Sequence, residues 1–428
     1  VEFLQDVPLR MGHRDLTFSV FSGMLPGTDL PVYFVDCPPL YARGGIYTQD
    51  PDEHVRFAFL ARAALESFQR MGFSPDILHA NDWHTALLPI YLKTLYGWDA
   101  LFSETKTVLT IHNLAYQGMF PASVLGDLGL EGAAPLFHQD HLDEGYLSFL
   151  ETGILHADVV TAVSETYARQ IQAPEHGMGL DGLLRARADT VVGIVNGVDY
   201  DVWSPEKDGY IPHRYSAAEL GGKAKNRKVL LERFGLDPDP RRPVVGIVSR
   251  LTAQKGFDLC GPVLGPLLAH DRIRGVAVGS GAQDYAELVS TLAAAFPERA
   301  ACHDGKGDPL AHWIEAGSDI FLMPSLFEPC GLNQMYSLRY GTVPLVHRTG
   351  GLADTVEPFS ATTGRGTGFL FDHFTTAGLG WAFDQALQVW SQPPLWKRLQ
   401  ANGMAKDFSW ERQIQRYIAL YEALLRME

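Results

Sequence analysis

Short runs of apolar, β-branched residues alternate along the chain with longer stretches whose apolar positions recur every three to four residues. In the first half, Val32–Val35, Ile77–Ala80, Val108–Ile111, Val159–Val163 and Val191–Val195 predict strands. Between them, His54–Met71, Thr85–Tyr96, Tyr146–His156 and Glu165–Gln172 predict helices. The second half repeats the rhythm, with strands expected at Val244–Val248, Gly275–Val278, Ile320–Met323, Val343–Val346 and Gly368–Phe371. Strand–helix alternation of this kind predicts an α/β chain with parallel sheets covered by helices on both faces. Two such series predict two doubly wound domains. The polar, Gly- and Pro-containing stretch from Asn196-Gly197-Val198-Asp199 to Pro205-Glu206-Lys207-Asp208-Gly209 is the expected boundary. A last amphipathic helix is expected from about Trp410 to Met427.

The length, 428 residues, agrees with more than one domain. Composition narrows the function. The net charge of −15 disfavours a nucleic-acid partner held through its phosphates, while leaving room for a local basic pocket. No apolar run has membrane-spanning length, so a membrane partner is not expected. Cys37, Cys260, Cys302 and Cys330 have no metal-ligand spacing and predict neither a zinc site nor a disulfide framework, which makes a reducing compartment the default. Val1-Glu2-Phe3-Leu4 has no signal-peptide pattern.

In open parallel sheets, ligands collect beyond the carboxyl ends of the strands. After Val244–Val248 comes Ser249-Arg250-Leu251-Thr252-Ala253-Gln254-Lys255-Gly256, which places two cations beside a glycine that opens a helix. That arrangement suits an anion, and a solvated charged loop is the plain alternative. After Ile320–Met323 comes Phe327-Glu328-Pro329-Cys330-Gly331-Leu332-Asn333. A proline at a helix start would leave the N–H groups of Cys330, Gly331, Leu332 and Asn333 free to cradle a phosphate. Glu328 would accept hydrogen bonds from sugar hydroxyls, or merely serve the helix dipole. Thr349-Gly350-Gly351 reads as a further anion-binding or close-approach turn. In the first half, Asn81-Asp82-Trp83-His84 and His112-Asn113 follow strands, and a histidine there either meets a sugar hydroxyl or is an ordinary core histidine. Asn196-Gly197 is a standard turn pair.

Taken in order, these motifs closely resemble the bacterial glycogen synthases and plant starch synthases of glycosyltransferase family 5. The resemblance is carried by His79–His84, Thr110–Gly118, Ala162-Val163-Ser164, Asn196–Asp199, Ser249–Gly256, Phe327–Leu332, Arg348–Asp354 and Asp407-Phe408-Ser409-Trp410, and so runs over essentially the whole chain. It implies a GT-B fold: two Rossmann-like doubly wound domains, 1–196 and 197–408, facing an interdomain cleft, with the helical segment 409–428 returning to the first domain. It further implies transfer of glucose from ADP-glucose to the non-reducing end of an α-1,4-glucan with retention of configuration, in the bacterial cytoplasm. By the resemblance, Arg250 and Lys255 bind the donor diphosphate, Glu328 lies over the glucose, and Cys330 to Asn333 hold phosphate or sugar through their amides. His112 contacts the glucose, Asp82 positions donor and acceptor, and Asn196, Ser249, Thr349 and Gly350 complete donor binding. No metal or other cofactor is expected, because Arg250 and Lys255 supply the charge on the departing diphosphate.

Three positions depart from the family's pattern. The family's Lys-x-Gly-Gly-Leu loop is not among these residues, which implies that the chain begins after it. Lys306 falls where relatives place an aromatic residue against adenine, leaving UDP-glucose open as donor. Glu151 stands where many relatives carry Lys. A GT-B enzyme with another donor and a non-catalytic glucan- or nucleotide-binding relative are the alternatives.

Overall fold

The computed structural model describes residues 2–48, 50–305 and 308–426. The chain forms two compact units. One comprises residues 1–162, 169–192 and 420–428, and the other 163–168 and 193–419. The expected limits, 1–196 and 197–408 with 409–428 returning, differ from these in two ways. Residues 163–168 and 193–196 group with the second unit, and the final helix, Trp410–Leu425, belongs to it as far as residue 419. The reason is local packing. Gly197 lies so close to Trp410 that a Cβ there would overlap the indole, and Val198 N–H donates to the Phe408 carbonyl at 2.8 Å.

In the first unit, β1 (Glu2–Met11), β2 (Arg14–Met24) and β3 (Pro31–Asp36) form an antiparallel sheet in that order. Val32–Val35 is therefore a strand, but not a member of the parallel series. Strands β1 and β2 bury Val7, Leu9, Met11, Phe18 and Val20 on one face, the alternation a half-buried sheet requires. The second sheet of this unit has the order β4 (Ile77–Asn81), β5 (Lys106–Ile111), β8 (Val159–Ala162), β9 (Val191–Gly193), and its first three strands are parallel. Strands β6 (Met119–Pro121) and β7 (Tyr146–Ser148) make a small antiparallel pair. Tyr146–Ser148 was expected to open a helix. The helix instead starts at Phe149, because the Ser148 hydroxyl caps it by accepting from the Glu151 N–H at 3.1 Å. Residues Leu420, Tyr421 and Leu424 cover Val108 and Val159 of this sheet.

The second unit is built on six parallel strands: β10 (Val244–Val248), β11 (Arg274–Gly279), β12 (Ala300–Asp304), β13 (Ile320–Met323), β14 (Val343–His347) and β15 (Phe369–Phe371). Their order, β12-β11-β10-β13-β14-β15, is that of a doubly wound Rossmann sheet. Strand β12 was not expected, since Ala300-Ala301-Cys302-His303-Asp304 lacks the β-branched signal and only its first residue is buried. The central strands are buried on both faces, as near-continuous apolar runs such as Val244–Val248 and Ile320–Met323 require. The strand order reverses between β10 and β13, and there a parallel sheet opens a crevice at its carboxyl edge.

Candidate active site

The crevice between β10 and β13 brings together the two segments that carry most of the charged and glycine-rich chemistry. Lys255 ends a single 3₁₀ turn after β10, and Gly256 then caps the helix Phe257–Ala269 in a left-handed conformation, φ +74°. A Cβ at Gly256 would overlap the Pro324 carbonyl oxygen, so only glycine lets the two loops meet. The loops are knit by Leu326 N–H to the Gln254 carbonyl, 2.9 Å, and by Asn333 Nδ2 to the Val248 carbonyl, 2.8 Å. Across this seam Lys255 Nζ donates to Glu328 Oε2 at 2.5 Å, and the Ser325 hydroxyl donates to the same oxygen at 2.9 Å. Both charged side chains are largely withdrawn from water, at 17% and 7% exposure. Arg250 is exposed, and its guanidinium has no protein partner among the described residues. The Ser249 hydroxyl donates to the Arg250 carbonyl.

Beyond Glu328 the structure corrects one expectation. The helix does not start at Pro329; it runs Asn333–Tyr340, with Leu332 at its N-cap and no side chain serving as cap. The segment from Glu328 to Leu332 is held open from below. Gly351 N–H donates to the Glu328 carbonyl at 3.1 Å, and the Ser164 hydroxyl donates to the Pro329 carbonyl at 2.7 Å. Gly350 lies at φ +44°, so tight under this segment that a Cβ would overlap the Glu328 carbonyl oxygen. The Thr349-Gly350-Gly351 turn therefore acts by close approach, at the head of the short helix Gly350–Thr355. Among the described residues, none accepts from the backbone N–H groups of Cys330, Gly331, Leu332, Asn333 or Gln334. These donors stand at a helix start, where the dipole adds to their pull on an anion. The Asn333 side chain, by contrast, is committed to the Val248 carbonyl. Burial pushes the Cys330 thiol up to about 12, so this residue offers its amide rather than a thiolate. Asn196, half-buried, presents its backbone N–H to that thiol.

Several supporting residues were given no role from the sequence. Ser325 fixes Glu328, and Ser325's own carbonyl accepts from His347 Nδ1 at 2.8 Å. Burial lowers the His347 pKa, which keeps the imidazole neutral with its proton on Nδ1. Asp354 accepts from the backbone N–H of Thr166 at 2.8 Å and from the Thr166 hydroxyl.

In the first unit, β4 and β5 are neighbours, and their carboxyl ends hold Asn81, Asp82 and His112 together. Asp82 Oδ1 accepts from the His112 N–H at 2.7 Å, and Asn81 Oδ1 accepts from His112 Nε2 at 2.9 Å. Asp82 sits at φ +54°, uncommon for a residue with a side chain, and the bond to His112 compensates. His112 itself is exposed, and its other ring nitrogen is left to meet a ligand. Beneath it, His79 bonds Thr110 and Tyr421 at 2.6 Å each. Lys306 lies outside the described residues.

Two family models match: the starch synthase catalytic domain over residues 1–186, and glycosyl transferases group 1 over residues 230–404. The chain is 46% identical over 408 residues to the glycogen synthase of Koribacter versatilis, covering 94% of this chain and 83% of that protein. It is 45% identical over 426 residues to the glycogen synthase of Myxococcus xanthus, covering 98% and 88%. The catalytic domain of starch synthase IV from Arabidopsis thaliana, solved with ADP and acarbose, superposes with a TM-score of 0.90 at 32% identity, over 100% of this chain and 87% of that one. The switch-point site and these similarities agree: the chain belongs to the glycogen and starch synthase family of glycosyltransferases, with the GT-B fold.

Proposed function

We propose that the chain transfers glucose from ADP-glucose to the non-reducing end of an α-1,4-glucan, with retention of configuration. The observation that carries the reading is the Lys255–Glu328 pair at the switch point of the second unit, beside five amides without an acceptor among the described residues. The ADP and acarbose bound by the starch synthase neighbour add support for a nucleotide and a glucan as ligands. In this reading the donor diphosphate draws Lys255 away from Glu328, and Arg250 joins Lys255 on it. The amides of Cys330 to Asn333 take the distal phosphate or the sugar. Glu328, released, accepts hydrogen bonds from the glucose. Asp82 fixes His112, and His112 meets a glucose hydroxyl, with Asn196, Ser249, Thr349 and Gly350 completing the donor's surroundings.

The chemistry follows from charge placement. The bond from glucose C1 to the diphosphate breaks while the acceptor hydroxyl oxygen bonds C1 on the same face. The hydroxyl proton passes to the departing phosphate oxygen. Cations fixed beforehand on that oxygen stabilise the charge as it develops, which is worth more in a dry site than in water. Arg250 and Lys255 supply this charge, so the reaction is assigned no metal and no cofactor beyond the nucleotide-sugar. The bacterial cytoplasm is the proposed setting, as for bacterial enzymes of this family. Among the described residues no helix is long and apolar enough to cross a membrane.

The test is incorporation of labelled glucose into glycogen, with ADP-glucose and UDP-glucose run side by side. Preferential incorporation from ADP-glucose is expected. Equal use of both would contradict the donor, and incorporation from neither by the folded chain would contradict the transfer.

A further inference from the structure

Glu151 is assigned no part in the transfer chemistry, yet its surroundings are specific. Ser148-Phe149-Leu150-Glu151 has the spacing of a capping box, in which the fourth residue normally turns its carboxylate back to the N-cap N–H. Here only half of the box forms. The Ser148 hydroxyl caps the Glu151 N–H, while the Glu151 carboxylate, 4% exposed, lies 2.8 Å from His141 Nδ1. The His141 ring is packed between His138, centroids 4.3 Å apart, and Tyr146, 4.6 Å. His138 Nδ1 is buried and has no hydrogen-bond partner among the described residues. One ligand atom from each of His138, His141 and Glu151 lies within 4.8 Å of the others.

We propose that His138, His141 and Glu151 form a binding site for a divalent transition-metal ion of the Zn²⁺ type, apart from the residues assigned to glucose transfer. Two imidazoles and one carboxylate are a donor set that Zn²⁺ takes, with water as the fourth ligand. Bond lengths of about 2.0–2.1 Å put ligand atoms roughly 3.3 Å apart, so side-chain shifts of about 1.5 Å complete the site. The ion would give the orphaned His138 nitrogen a partner. It would also neutralise the buried Glu151 carboxylate, beside a histidine, His141, whose own sequence neighbours Asp140, Asp143 and Glu144 are acidic. The ligands come from either side of β7, so the ion clips residues 138–141 to the start of the helix Phe149–His156. The first amides of that helix, Phe149 and Leu150, each donate at 3.0 Å to Gly118 and Gln117 in the loop that follows His112. Occupancy therefore stiffens the segment that carries His112.

The test uses the whole chain stripped of metal. Zn²⁺ is titrated calorimetrically, and Co²⁺ is followed by its visible absorption. Wild type is expected to bind one equivalent that Glu151→Gln and His141→Ala each weaken at least about 100-fold, with tetrahedral Co²⁺ bands that disappear in both. Glu151→Lys, which puts a cation where the ion would sit, is expected to bind none at this site. Circular dichroism and Tm in metal-free buffer establish that each variant is folded. Absence of saturable binding by wild type, or affinity unchanged in folded Glu151→Gln and Glu151→Lys, would overturn the proposal.

Discussion

The carboxyl ends of β10 and β13 in the second unit, and of β4 and β5 in the first, are equivalent places in two parallel sheets, yet they are furnished differently. In the second unit the strand ends carry an opposite-charge pair, Lys255 and Glu328, and beside it Arg250 and several backbone amides that have no partner among the described residues. In the first unit they carry Asn81, Asp82 and His112, bonded to one another with no cation among them. The first arrangement suits an anion that leaves with growing charge, and the second suits hydroxyls that must be oriented. The glycines differ as well. Gly256 and Gly350 let loops of the second unit pack backbone on backbone, whereas the first unit tolerates a strained aspartate at φ +54°. Sheet topology thus supplies the place, and local side chains decide which ligand group belongs there.

The contrast is broken most severely at Lys255. Lys255→Ala is expected to lower turnover about 10²–10³-fold or more with little change in fold, as for other preorganised charges on a developing anion. Glu328→Ala is expected to cost orders of magnitude too, and near-normal turnover in either variant would remove its assigned role. Next comes Gly350→Ala. The added methyl meets the Glu328 carbonyl, and φ +44° is strained for alanine, so a loss of about 1–3 kcal/mol is expected together with lost activity, read by urea midpoint and incorporation assay. Asp82→Gly sharpens the other side. It relieves the backbone strain but removes the bond to the His112 N–H, so stability near that of wild type with about tenfold lower turnover is expected.

The last expected effect is on pH dependence. Burial, and secondarily His112, lower the His79 pKa from 6.5 to about 4. The unfolded chain thus takes up a proton below pH 6.5 that the folded chain refuses until about pH 4. His79 therefore favours folding fully above pH 6.5 and loses that contribution as pH falls through this window, about 2 kcal/mol by pH 5. Comparing urea midpoints at pH 7 and pH 5 for wild type and His79→Asn checks this, and the variant's midpoint should fall less.

Much of this was legible in the sequence. Short β-branched runs end at Asp82, His112, Arg250 and Glu328, and a parallel sheet puts such residues at its ligand-binding edge. What was not legible depends on partners distant in sequence. Lys255 and Glu328 are 73 residues apart. The delayed helix start at Asn333 follows from Gly351 and Ser164, which hold the Glu328 and Pro329 carbonyls and keep that segment from coiling. Strands β1 and β2 escaped because they alternate buried Val7, Leu9, Met11, Phe18 and Val20 with exposed or polar residues instead of showing the continuous apolar runs of a parallel sheet, and β12 because an exposed edge strand needs few apolar residues. His138 and His141 gave no signal of their own, since only the fold sets the Glu151 carboxylate against them.

In the proposed reaction the Lys255–Glu328 pair opens to receive the donor diphosphate. Calorimetric binding of ADP to wild type, Lys255→Ala and Glu328→Gln tests it most directly. Lys255→Ala is expected to weaken ADP by at least about tenfold, while Glu328→Gln, which frees the lysine, is expected to bind ADP as tightly as wild type or more tightly and yet to transfer no glucose. Unchanged ADP affinity in Lys255→Ala, or weakened affinity in Glu328→Gln, would contradict it.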